Sequence, residues 1–223
     1  MKKQFFLVLG LPRSGSTLLT NLINSQDNVF CISEPLWEKR GFGRVKTYGK
    51  LKIKENLDIN EIPLRLKEEL IKGDYNFGGY KETFRYWQFD YMEQHINEDL
   101  DFIIRISRDP VQNFGSWKKK KQWGTQYNSV QEFAKCYNEL MNFKFKKIYD
   151  IQYEKILSEG ISYLNKVLPI KFSTDKLNPY HFSYGDSVAN SSKKIIEPIH
   201  NNNVNDDEIK YLKKNIDDKS FVF

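Results

Sequence analysis

The residues of this chain best placed to do chemistry are Arg13, Ser14, Ser16 and Thr17. They surround Gly15 in the run Gly10-Leu11-Pro12-Arg13-Ser14-Gly15-Ser16-Thr17. The run has the Gly-x4-Gly frame of a phosphate-binding loop. An apolar stretch, Phe5-Phe6-Leu7-Val8-Leu9, precedes it, and Leu18, Leu19, Leu22 and Ile23 follow at helical spacing. Strand, glycine turn and helix start in that order aim several backbone N–H groups at one anion, with the helix dipole behind them. Ser16 stands where nucleotide hydrolases carry the lysine that reaches the β- and γ-phosphates, and the cation is instead Arg13, inside the loop. Such a loop suits a phosphate-like group on a ligand other than an ordinary triphosphate. Glycines alone would serve a tight turn; three hydroxyls and an arginine are more than a turn needs.

A second set of candidates lies at Arg108, Ser116 and Lys120. Phe102-Ile103-Ile104 with Ile106 predicts a strand, and Asp109-Pro110 predicts a helix start, with a capping acid and proline at the first helical position. Arg108 is then left at the C-terminal edge of the strand, with Ser116 about two turns along the helix and Lys120 one turn further. At i, i+8 and i+12 the three can share a face and clamp a second phosphate. The plainer alternative is an Asp–Arg surface pair followed by a solvated lysine run at 118–121. A third candidate is Glu34, which follows the short apolar strand Val29-Phe30-Cys31-Ile32. Ligands of open parallel sheets bind at the C-terminal strand ends, so Glu34 falls near the phosphate loop. A carboxylate beside an anion site is costly unless it has work to do, and a general base is the obvious role. A solvated loop glutamate or a helix-capping acid is the other reading.

These residues need strands to carry them and helices to cover the strands. Residues 62–71 predict an amphipathic helix, and 75–81 a turn into a third strand that runs on through Glu82-Thr83-Phe84. Tyr86, Trp87, Phe89 and Tyr91 form an aromatic stripe suited to core packing. Ser129 with Glu132 has capping-box form and starts a helix predicted to reach about residue 147. Residues 149–153 predict a last strand, 154–168 a single helix, and 206–216 a final helix capped by Asn205 with Glu208 in its first turn. Residues 38–60 are irregular, basic and glycine-bearing, a surface loop or an acceptor-binding flap, and the chain beyond 169 turns polar. Alternating strands and helices over 223 residues point to one α/β domain, 1–223, with a mainly parallel central sheet flanked by helices.

Composition narrows the partners. A net charge of +6 and a pI of about 9.0 suit an anionic ligand or substrate. No recognition motif for nucleic acid accompanies that charge. Cys31 and Cys136 are the only cysteines and lie far apart, so neither a disulfide framework nor zinc spacing is present, and a reducing cytoplasm is expected. Met1-Lys2-Lys3 and the apolar run after it imitate a signal peptide, but the apolar part is short and runs into Pro12-Arg13 without a cleavage site. No stretch approaches a membrane-spanning length.

A phosphate loop without its lysine, followed by an Arg/Ser clamp, calls for a ligand with two phosphate-like ends. The combination resembles the sulfotransferases that use 3′-phosphoadenosine 5′-phosphosulfate (PAPS), a family of P-loop-NTPase-like fold. Their loop of the form Pro-Arg/Lys-Ser-Gly-Thr/Ser-Thr holds the 5′-phosphosulfate, and Pro12-Arg13-Ser14-Gly15-Ser16-Thr17 matches it. Their 3′-phosphate motif is an Arg at a strand end with a Ser eight residues on, which Arg108 and Ser116 fit. Bacterial members and the tyrosylprotein branch are similar in further places. Glu34 lies twenty-one residues after Arg13, where that branch carries its catalytic glutamate. Lys81-Glu82-Thr83-Phe84 resembles a Lys-Asp-Pro-Phe segment whose lysine contacts the transferring group. Lys120 stands where an arginine helps hold the 3′-phosphate, a point charge in place of a fork. Tyr153-Glu154 is similar to a Tyr-Glu-x-Leu segment whose tyrosine touches the cofactor, and Ser191 and Ser192 open a stretch that looks like a late segment folding over the nucleotide.

The resemblance implies an enzyme that moves the sulfuryl group of PAPS to an acceptor hydroxyl by in-line transfer, leaving adenosine 3′,5′-bisphosphate (PAP). Glu34 would be the general base, with Arg13 and Lys81 stabilising developing charge. No metal is implied. A sugar, a phenol, a tyrosine or a small alcohol could be the acceptor. Secretory-pathway members carry a lumenal anchor, and the tyrosyl acceptor is not carried over from them. Two rival readings are a P-loop kinase using ATP on a small molecule and a non-catalytic nucleotide- or glycan-binding module. The kinase would need a lysine at position 16 and a metal-binding acid at a strand end, where the chain offers Ser16 and Asp109.

Overall fold

Apolar runs without alternation must be buried on both faces, and here they form a parallel sheet with a helical layer on each side. The computed structural model describes residues 2–35, 61–84, 99–119, 129–176 and 203–216. Among them are the strands β1 (Gln4–Gly10), β2 (Val29–Ser33), β3 (Phe77–Thr83), β4 (Phe102–Ser107) and β5 (Ile148–Gln152). They make one all-parallel sheet in the order β2-β3-β1-β4-β5. The first apolar run of the chain therefore becomes the central strand, with residues 5–9 almost wholly excluded from solvent.

The helices divide between the faces. On one side α1 (Ser16–Asn24), α5 (Tyr153–Glu159) and α6 (Ile161–Val167) pack Leu19, Ile23, Ile156 and Leu164 against Phe6 and Val8. On the other, α2 (Glu61–Lys72), α3 (Pro110–Lys119), α4 (Val130–Asn142) and α7 (Asp206–Asn215) meet Phe5, Leu7 and Leu9. The chain leaves β1 over the first face, through α1, and leaves the adjacent β4 over the second, through α3. Neighbouring strands whose connections depart to opposite faces leave a crevice between their C-terminal ends, where open α/β sheets bind ligands.

The sheet margins are tied off by side chains. The carboxamide of Asn24 bonds both the N–H and the C=O of Cys31, each at 2.7 Å, so the outward backbone groups of that residue on β2 are satisfied. Lys3 places its ammonium among the carbonyls of Leu70, Ile71 and Gly73, where α2 ends.

Three expectations are corrected. The helix from residue 130 ends at Asn142 rather than near 147. The Ser129 half of its expected cap forms, with Oγ accepting from the Glu132 N–H at 3.2 Å. What stops it is Arg105, on the neighbouring β4, whose Nη1 takes the carbonyls of Leu140 (3.0 Å) and Met141 (2.6 Å) while its Nε and Nη2 grip Asp150 at 2.5 and 3.0 Å. A guanidinium that satisfies the last-turn carbonyls removes the need for a further turn. The segment 154–168 is two helices instead of one, broken at Gly160 with φ 64° and ψ −148°, and Tyr153 opens α5 instead of closing a strand. Lys118, read as part of a solvated lysine run, reaches both carboxylate oxygens of Glu208 at 2.8 and 2.9 Å and ties α3 to α7. The helix at 62–71 and the Asn205–Glu208 capping box stand as expected. The loop at 38–60, the aromatic stripe at 86–91 and the polar stretch at 177–202 lie outside the described residues. No helix among those described is long and apolar enough to cross a membrane.

Arg105→Ala should free the Leu140 and Met141 carbonyls in a buried setting. We expect a loss of about 2–3 kcal/mol in denaturant unfolding, with Arg105→Lys recovering little of it because an ammonium lacks the planar fork. A change of less than about 0.5 kcal/mol, the scale of an ordinary surface substitution, would show that α4 is terminated by something else.

Candidate functional site

The site begins where β1 stops. A Cβ at Gly10 would lie 2.6 Å from both Ile106 Cγ2 and Ser14 Oγ, so only glycine lets the chain turn back over the end of β4. Arg13 (φ 68°) and Gly15 (φ 90°) are both left-handed and curl the loop into the first turn of α1, with Gly15 at the N-cap. The first intrahelical bond runs from the Leu19 N–H to the Gly15 carbonyl at 3.1 Å. The N–H groups of Ser16, Thr17 and Leu18 thus have no acceptor inside the helix, the ordinary condition of a helix start and the donor set of an anion site. No acidic residue lies in that first turn to oppose an anion.

The second motif closes on the first. Asp109 is buried, its carboxylate accepts from the Gln112 N–H at 2.9 Å, and α3 starts beside the end of β4. That capping geometry answers the alternative of an Asp–Arg surface pair. Arg108 Nη1 donates to the carbonyl of Arg13 at 3.2 Å, and Arg13 Nε donates to Ser116 Oγ at 3.2 Å. Two motifs about a hundred residues apart in sequence thus form one hydrogen-bonded unit. The Arg108 guanidinium also lies 4.8 Å from the centre of the Tyr153 ring. That ring backs the loop, since a Cβ at Gly15 would fall 2.2 Å from Tyr153 Cδ2. Ser16 is buried beside the loop and Thr17 is exposed at its rim. Two buried polar atoms here have no partner among the described residues, Arg108 Nε and Ser14 Oγ. A guanidinium N–H left in that condition fits an anionic oxygen, because an unsatisfied buried donor is otherwise costly.

A separate cluster lies on the other side of β1. Glu34, directly after β2, has a left-handed φ of 52°, and its N–H donates to the carbonyl of Lys81 at 2.7 Å. Its carboxylate Oε1 accepts from Lys81 Nζ at 2.6 Å and also from Thr83 Oγ1. Lys81 is 3% exposed and Glu34 27%, so the pair is sunk at the sheet edge with the carboxylate outermost. The Cys31 thiol lies within reach of the same charge. Burial pushes its thiol up to about 12, against the pull of Lys81, so the lysine's charge is answered by Glu34 and not by a thiolate. The strand order puts β3 between β2 and β1, so Glu34 stands two strand spacings, roughly 10 Å, from the line of β1. Thr83 bridges that interval, because it pairs with Gly10 at the head of the loop.

Of the residues singled out from sequence, the structure brings together Arg13, Ser14, Gly15, Ser16, Thr17, Arg108, Ser116 and Tyr153 around one crevice, and Glu34 with Lys81 beside it. Lys120, Ser191 and Ser192 lie outside the described residues. Three participants were missed. Thr83 shares a strand face with Lys81 by the period of two, which could have flagged it. Glu154 accepts from the Asp109 N–H at 2.9 Å at the start of α3, and burial raises its carboxyl above the usual range against the pull of that bond and of Arg108. Asn113, wholly buried, turns its carboxamide to the loop; assigned so that both ends are satisfied, its Nδ2 lies 3.1 Å from the Pro12 carbonyl and its Oδ1 3.2 Å from the Ser14 N–H, which also donates to the Leu11 carbonyl at 3.2 Å. Nothing in its sequence position gave a signal.

Comparison with solved structures finds the fold among sulfotransferases. The sulfotransferase domain of the olefin synthase from Synechococcus PCC 7002 superposes with a TM-score of 0.58 at 16% identity, covering 88% of this chain and 86% of that one. Mouse sulfotransferase SULT7A1, solved in complex with PAP, superposes with a TM-score of 0.42 at 16% identity, covering 79% of this chain and 60% of that one. No family model matches the sequence, and no curated protein matches it.

The Lys81–Glu34 pair has a consequence for stability. Glu34→Gln keeps the volume but leaves a buried ammonium without its counter-charge, so it should cost about 2–4 kcal/mol, discounted from a fully buried pair because Glu34 is partly exposed. Lys81→Met combined with Glu34→Gln should recover most of that loss in chemical denaturation. Equal or greater destabilisation in the double variant would mean that the pair is not what holds this edge.

Proposed function

We propose that the chain is a sulfotransferase that moves the sulfuryl group of PAPS to the hydroxyl of an acceptor. The observation that carries this reading is the single bonded unit of Arg13, Arg108 and Ser116 at the β1/β4 crevice, next to Glu34, Lys81 and Thr83. Cations from two strand ends suit a ligand with two anionic groups. The α1 N–H groups with Arg13, Ser14, Gly15, Ser16 and Thr17 would hold the 5′ end, and Arg108 with Ser116 the 3′-phosphate, with Tyr153 against the loop between them. Lys120, Ser191 and Ser192 would add to that hold from outside the described residues. The fold of the Synechococcus domain supports the class of reaction and no finer point.

PAPS, when bound, supplies an activated sulfuryl group whose departure leaves PAP. The residues of this chain supply the rest. Glu34 would accept the proton of the acceptor hydroxyl. Lys81 holds that carboxylate in place and would bring positive charge to the reacting end, while Arg13 would balance charge on the 5′-phosphate. Left-handed backbone at both Arg13 and Glu34 fits residues whose direction matters more than their comfort.

The test begins with sulfur-labelled PAPS offered with sugar, phenol, tyrosine and small-alcohol acceptors, alongside calorimetric titration with PAP and with ATP plus magnesium. Label transfer with PAP bound more tightly than ATP is expected; the reverse order of affinity would favour a kinase. Arg108→Ala should weaken PAP by about 2–3 kcal/mol, the worth of a buried charge-assisted contact. Adenosine 5′-phosphate should weaken less, by what is lost when the Arg13 carbonyl is released. Equal loss for both ligands would make Arg108 a structural residue only. Glu34→Gln, assayed where it is fully folded, should lower turnover by about 10²–10⁴-fold with little change in PAP affinity. Near-normal turnover would take Glu34 out of the mechanism.

A further inference from the structure

We propose that Asn113 is a positioning residue that sets the direction of Arg13, an inference that rests on the reading of Arg13 as an anion-binding cation. Asn113 lies one turn into α3 and is 0% exposed. A buried carboxamide is costly unless all of it is bonded, and an apolar residue would fill the same space without that demand. Its surroundings assign the amide's orientation, an acceptor at one end and a donor at the other: with Nδ2 toward the carbonyl of Pro12 and Oδ1 toward the N–H of Ser14, both ends are used on the loop. Those two groups belong to the peptide planes immediately before and after Arg13. A rigid planar amide that grips both planes fixes the two dihedrals between them.

The residue so gripped is the one that needs it. Arg13 holds φ at 68°, a region that a side chain with a Cβ disfavours. Released, it would relax toward the ordinary regions, and its guanidinium would swing from Ser116, to which Nε donates at 3.2 Å. Its carbonyl would leave Arg108 Nη1 as well. Asn113 and Ser116 sit on the same helix three residues apart, so one face of α3 holds both the backbone and the side chain of Arg13. The Ser14 N–H is shared between the Leu11 carbonyl at 3.2 Å and Asn113 Oδ1 at 3.2 Å, so the peptide after Arg13 is held from the loop and from α3 together.

The experiment compares wild type, Asn113→Ala, Asn113→Asp, Arg13→Ala and the double variant Arg13→Ala with Asn113→Ala. Two quantities are read: hydrogen exchange at the Ser14 amide, and affinity for PAP by calorimetry. Asn113→Ala should speed exchange at Ser14 and weaken PAP by about 10- to 100-fold, the scale of a misplaced positioning group. In the Arg13→Ala background the same change should weaken PAP less than about twofold, because the residue it positions is gone. Asn113→Asp, which keeps the volume and the acceptor for Ser14, should fall between, and it decides the matter by the same two readings if the alanine variant does not fold. Unchanged exchange at Ser14, or the same loss of affinity in both backgrounds, would overturn the proposal. If wild type binds no PAP, the sulfotransferase reading fails on its own, and exchange at Ser14 still decides whether the clamp exists.

Discussion

Two cations held side by side at the ends of β1 and β4 are the constraint to which the rest of the site answers. Arg13 and Arg108 repel one another, yet the guanidinium of one is bonded to the carbonyl of the other at 3.2 Å. The contact holds because the fold brings negative potential to the same place. Arg108 meets a backbone carbonyl and the face of Tyr153, and Glu154 lies close enough for the arginine to pull its carboxyl down against burial. The start of α1 adds the positive end of a helix dipole with no acid in its first turn. An anionic ligand of the kind proposed above would add to these partners in relieving the repulsion between the two arginines.

The other half of the site is balanced internally. Lys81 is among the most deeply buried charged groups described, and its ammonium meets Glu34 and not solvent. The carboxylate cannot be removed without exposing the lysine's charge to an apolar surround, so stability and any catalytic role are carried by the same atoms. This overlap is common where a titratable group is sunk at a strand end. It means that Glu34→Gln is not a silent substitution for the fold, although it preserves shape and hydrogen-bonding capacity. Gly15 carries a similar double demand. Its left-handed φ and its contact with the Tyr153 ring mean that any side chain there strains the loop before it could obstruct a ligand.

What holds the two halves in register is the sheet rather than the loops. Thr83 pairs with Gly10, the Phe84 N–H bonds the Gly10 carbonyl at 2.8 Å, and the Glu34 N–H bonds the Lys81 carbonyl. The strand ends therefore march across the sheet with the candidate residues on successive ends. Asn113 and Ser116 then reach over from the helix that follows β4. Positions set by parallel pairing are fixed to a fraction of a strand spacing, which suits the two-ended ligand proposed above.

The sequence by itself determined the parts whose cause is local. The unbroken apolar run at 5–9 required a strand buried on both faces, Gly10 and Gly15 a tight turn, Asp109-Pro110 a helix start, and Asn205 with Glu208 a capped one. Each depends on hydrogen bonds or sterics within a few residues, so it can be read from neighbours along the chain. The tertiary structure decided everything that depends on a partner far away in sequence. The length of α4 was set by Arg105 on another element, and the fate of Lys118 by Glu208 ninety residues on. The break at Gly160 was local and visible, but a glycine inside a helical pattern is often tolerated, and only the geometry of the two helices resolved it. That Arg13 bonds Ser116, that Thr83 bonds Glu34, and that Asn113 spans the peptides around Arg13 could not be read at all. Such contacts are fixed by which strands lie side by side, and the order β2-β3-β1-β4-β5 follows from how the whole core is buried.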